Sequence, residues 1–104
     1  MRTIDATNGE AEYVTATVTE RNGLDITAVT WTVKLVGDAD TPDTDWQAAD
    51  KVDNPSLSTA EVSLFVDAAT PKGTYQALDI RATDSPEVIP LTAATGSYNR
   101  IQVT

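Results

Sequence analysis

The chain has 104 residues, a formal charge of −9, and neither cysteine nor histidine. That length makes one domain with one modest core, and the missing residue types exclude disulfides, thiolate or imidazole metal sites and the Ser-His-Asp triad. The acidic balance disfavours nucleic-acid phosphates and anionic membranes as partners, and no apolar run approaches the length of a membrane span.

Residues 1–9 carry little apolar periodicity and are expected as a flexible arm, or else an edge strand that pairs only in an assembly, with the domain proper at 10–104. The opening segment has no apolar stretch of the kind a Sec signal needs, so the expectation is cytoplasmic synthesis without a signal peptide. From Glu10 to Glu20 the pattern alternates cleanly. Val14, Ala16 and Val18 face one way, Tyr13, Thr15, Thr17 and Thr19 the other, as in a strand with one buried face. Asn22-Gly23 is a strong hairpin signal, since both residues tolerate positive φ, or else a corner between sheets.

The stretch Asp25–Gly37 is the best-patterned strand. Val29, Trp31, Val33 and Leu35 alternate with polar neighbours, which puts Trp31 at the centre of the core. Gly37 to Asp45 is a polar loop with four carboxylates, Asp38, Asp40, Asp43 and Asp45. Oxygen ligands in a loop suit Ca²⁺. The spacing lacks the glycine and the distal glutamate of an EF-hand, and a solvated acidic loop is the ordinary reading. Trp46 to Val52 is a weak strand. Trp46 either covers the core edge or stands exposed, to stack on a sugar or anchor a protein contact.

Ser58 to Val66 is the next strand, with Ala60, Val62, Leu64 and Val66 inward and Phe65 outward. In Gly73–Asp84 the parity changes. Tyr75 and Ala77 share one face, while Leu78, Ile80 and Ala82 share the other. A β-bulge near Ala77–Leu78, or a Tyr75 held at a corner, reconciles them. Pro90, among Val88, Ile89 and Leu91, marks an edge or bent strand. A turn at Thr95–Ser97 precedes the last strand, Tyr98–Val103, with Ile101 and Val103. About seven strands and no useful amphipathic helix predict an all-β fold, an Ig-like antiparallel β-sandwich.

No tuned acid–base pair stands out, so the expectation is a non-enzymatic protein without cofactor that acts through its surfaces. The interface candidates are the outward aromatics Tyr13, Trp46 and Phe65, and the terminal-strand residues Ile101 and Val103. Three stretches taken together resemble a known pattern: the segment from Val14 through the Asn22-Gly23 turn to Val33, the strand Gly73–Asp84 opening on Gly73-Thr74-Tyr75, and the closing run from Ser97 to Thr104. They resemble the Ig-like modules of tailed-bacteriophage virion proteins. Gly73-Thr74-Tyr75 is also similar to the tyrosine corner of Ig-like folds, with Tyr75 in the corner position. The resemblance implies a structural virion protein that binds capsid, neck or tail proteins, or itself as a homo-oligomer, in many copies. The rival expectation is a carbohydrate-binding sandwich with Trp46 as its stacking platform.

Overall fold

The computed structural model describes residues 2–19, 26–27, 29–55, 59–84, 87–91, 93–96 and 100–104, with side chains throughout except from 84 to 96. The hairpin or corner expected at Asn22-Gly23 lies outside these residues. Among the described residues ten strands are formed: β1 (Arg2–Ile4), β2 (Glu12–Thr19), β3 (Thr30–Gly37), β4 (Gln47–Ala48), β5 (Lys51–Asp53), β6 (Thr59–Val66), β7 (Gly73–Asp84), β8 (Glu87–Leu91), β9 (Ala93–Gly96) and β10 (Ile101–Val103). They make two sheets. One runs β1-β10-β7-β3-β4, with β8 also paired to β7; the other runs β5-β6-β2-β9. The molecule is an all-β sandwich. The orders β5-β6-β2 and β10-β7-β3 are those of strands D-E-B and G-F-C in an immunoglobulin sandwich.

The core lies between the sheets and follows the alternation of the sequence. Val14, Ala16 and Val18 of β2 and Ala60, Val62, Leu64 and Val66 of β6 are buried from one side. Trp31, Val33 and Leu35 of β3, with Ile80 and Ala82 of β7, are buried from the other. Trp31 is paired across the ladder with Ala82, so a small residue makes room for the large one. Fully burying side chains of this size stabilises by about 1.5–3 kcal/mol each, which is why one face of each strand must be apolar.

The parity change in β7 is a bulge combined with a corner. Val36 pairs with Ala77 and Gly37 with Tyr75, which leaves Gln76 as the extra residue. The bulge therefore lies one residue before the predicted position. Tyr75 turns into the core at 1% exposure, and its hydroxyl donates to the carbonyl of Pro71 at 2.6 Å. This is the geometry of a tyrosine corner.

Residues 2–9 are not a free arm. β1 pairs in parallel with β10, Ile4 and Ala6 are buried, and Arg2 reaches across to β2 with a bidentate contact to Glu12. Ala6–Asn8 makes a 3-10 turn closed by Gly9 in a left-handed conformation. The segment has too few apolar residues to show a period, yet two of them complete the core. The parallel β1–β10 pair also departs from a purely antiparallel sandwich. β8 pairs only with β7 among the described residues, as suits a strand containing Pro90. Thr95 and Gly96, expected in a turn with Ser97, lie instead in β9, on the edge of the other sheet beside β2.

Candidate functional site: the aromatic face of the four-stranded sheet

Strand parity places two aromatic residues on the outer face of the β5-β6-β2-β9 sheet. Val14 and Leu64 point into the core, so their neighbours Tyr13 and Phe65 point out, and the two are direct partners across the β2–β6 ladder. Their ring centroids are 4.9 Å apart and tilted by 58°, a favourable aromatic pair. Tyr13 is 46% exposed and Phe65 39%, the exposed large hydrophobics among the described residues. The next pair along the ladder, Thr15 and Ser63, joins its hydroxyls at 2.7 Å. The Lys51 ammonium stands 5.3 Å from the Tyr13 ring and pairs with Asp53 at 3.2 Å. Asp50 accepts the Phe65 N–H at 2.7 Å, which anchors the backbone that carries the ring. The result is a small apolar patch with a polar and cationic border, held by a rigid ladder.

The other predicted interface residues fall elsewhere. Ile101 and Val103 are 4% and 2% exposed. β10 is not an edge but sits between β1 and β7, so its alternate side chains are drawn into the core. They are corrected from interface to core residues. Trp46 is half-buried on the outer face of the other sheet. The Arg81 guanidinium lies 3.9 Å from its ring centroid and the Lys34 ammonium 5.2 Å. Both cations rise from neighbouring strands, β7 and β3, at positions that face away from the core. Trp46 is thus neither core nor a bare platform, and its ring is held by cation–π contacts. Sequence parity points Lys34 and Arg81 outward, but nothing local shows that Trp46 folds back over them.

The acidic loop does not assemble into a metal site. Asp38 pairs with Arg100 at 3.2 Å and accepts the Asp40 N–H at 3.2 Å. Asp43 accepts from Lys34 at 2.9 Å and from the Gly37 N–H at 3.0 Å. Among the described residues no three acidic groups gather closely enough to hold a cation. Asp43 instead fastens the loop to β3, and Asp38 ties it to Arg100. The Lys34 ammonium, with help from the Gly37 N–H, holds the Asp43 carboxyl below the usual carboxylate range. Gly37 is required here by close approach: a Cβ would lie 1.7 Å from the Thr41 carbonyl oxygen.

No family model, no curated protein and no solved structure matches the chain.

Proposed function

We propose that the chain is a non-enzymatic structural protein of a tailed-phage virion, assembling in many copies on capsid, neck or tail proteins. The observation that carries the assembly reading is the Tyr13–Phe65 pair, two aromatic rings left in water on a rigid sheet face. Aromatic side chains of this kind are the usual anchors of protein interfaces, because they bury large area at low cost in conformational freedom. The virion context rests on the resemblance of the three sequence stretches. The carbohydrate reading ranks second, because Arg81 already covers the Trp46 ring that a sugar would need.

The experiment is sedimentation of purified particles from cells producing the wild-type chain or a Tyr13→Ser/Phe65→Ser variant. Wild type is expected in the particle fraction. The double variant is expected in the supernatant, with an unchanged circular dichroism spectrum. A wild-type chain that never sediments with particles overturns the virion reading. A folded double variant that sediments equally well overturns the assignment of the face.

A further inference from the structure

On the side of the sandwich where the chain passes from β4 in one sheet to β5 in the other, a cleft of about 550 Å³ opens between the sheets. Leu35 of β3, Leu64 of β6 and Pro71 supply apolar lining, and Phe65 borders it where β6 meets the outer face. Four carboxylates line the cleft, those of Asp43, Asp45, Asp50 and Asp67; Lys34, outside the lining, pairs with Asp43, and no lysine or arginine among the described residues lines the cleft. The Pro71 wall is fixed in place by the Tyr75 hydroxyl.

The strand edges flanking the cleft are closed by side chains rather than by another strand. On β3, Leu35 N–H donates to Thr44 Oγ1 at 2.9 Å and Gly37 N–H to Asp43 Oδ1 at 3.0 Å. On β6, Phe65 N–H donates to Asp50 Oδ2 at 2.7 Å, and just beyond it Asp67 N–H donates to Thr70 Oγ1 at 3.1 Å. These caps block strand addition at the four donors. What the cleft offers an occupant is carboxylate oxygen above apolar wall. Asp45, one of the lining residues, takes no hydrogen bond or ion pair from the described residues. The carboxylates are also too spread to hold a bare metal ion. Spread negative charge over an apolar wall matches a long organic cation with an aliphatic stem.

We propose that this cleft docks a lysine or arginine side chain presented by an extended segment of a partner protein, with a flanking apolar residue against Phe65 and Pro71. The cleft borders the Tyr13–Phe65 face at Phe65, but the carboxylates that define it take no part in the assembly reading, which the proposal goes beyond. The test titrates the isotopically labelled full chain with an acetylated, amidated Arg-Leu-Arg-Leu-Arg peptide, and with the same peptide carrying citrulline for arginine, followed by amide chemical shifts. The arginine peptide is expected to give saturable shifts at Asp45, Asp50, Ala69 and Thr70, and the citrulline peptide none. Asp45→Asn/Asp50→Asn keeps an acceptor oxygen for the Phe65 N–H and is expected to weaken binding about fivefold. Asp40→Asn/Asp79→Asn removes the same charge outside the cleft and is expected to change it less than about twofold. Scattered unsaturable shifts, equal binding of the citrulline peptide, or equal weakening by both double variants would overturn the proposal. None of these results bears on particle sedimentation, so the two readings fail separately.

Discussion

The Tyr75 hydroxyl donates to the carbonyl of Pro71, four residues upstream, at 2.6 Å. That bond ties the loop after β6 to the start of β7 and lets a tyrosine sit in the core with its one polar atom satisfied. Tyr75→Phe keeps the ring and removes the bond. The expected cost is about 1 kcal/mol, the usual net worth of such a hydrogen bond. Urea unfolding of the two proteins measures it; an unchanged midpoint would show that the corner contributes nothing.

The same residue sets an alkaline limit. Burial pushes the Tyr75 phenol above the ordinary tyrosine range, because the folded state disfavours the phenolate. The folded chain therefore keeps a proton that the unfolded chain releases. This stability is fully present below the unfolded value, near pH 10, and is lost as pH rises through the folded value. Wild type is expected to lose stability between about pH 9 and 11, and Tyr75→Phe to lose less. Parallel alkaline denaturation curves for the two proteins would contradict this.

Acid acts through Asp43. Its carboxyl is held low by Lys34 and the Gly37 N–H, so the folded state binds its proton later than the unfolded state. The contribution is present above the unfolded value and disappears as pH falls through the folded one. Asp43→Asn is expected to flatten the acid limb of the stability profile below about pH 4. Thermal melts across that range provide the comparison, and an unaltered acid limb would count against the role given to Asp43.

Ile4 and Ala6 bring the N-terminal segment into the core. Ile4→Ala is expected to cost about 2–5 kcal/mol, as for other buried aliphatic truncations, and Trp31→Ala about 3–5 kcal/mol. Either cost below 1 kcal/mol, measured by chemical denaturation, would return that residue to the surface.

Gly37 tests the close approach of the acidic loop. Gly37→Ala drives a methyl group into the Thr41 backbone, which cannot rotate aside. A loss of roughly 3 kcal/mol is expected, at the upper end for overpacking. Hydrogen exchange should localise the damage to residues 38–44; a stable variant with unchanged protection there would exclude the contact.

Strand alternation determined much of this protein, because side-chain parity is a property of a few adjacent residues. The inward sets of β2, β3 and β6 were legible, Trp31 included, and so was the outward direction of Tyr13 and Phe65. The tyrosine corner was legible from Gly73-Thr74-Tyr75 because its hydrogen bond is local. Tertiary structure alone decided the rest. β1 has three residues and no period of its own, and becomes a strand only because β10 lies beside it. Ile101 and Val103 looked like edge residues until β1 covered their strand. Trp46 needed two cations from strands far away in the chain to hold it on the outer face. The spread of Asp43, Asp45, Asp50 and Asp67 around one cleft follows from how the sheets close, which no run of neighbouring residues encodes. Alternation tells a side chain which face to take, and only the packing of the two sheets tells each face what it meets.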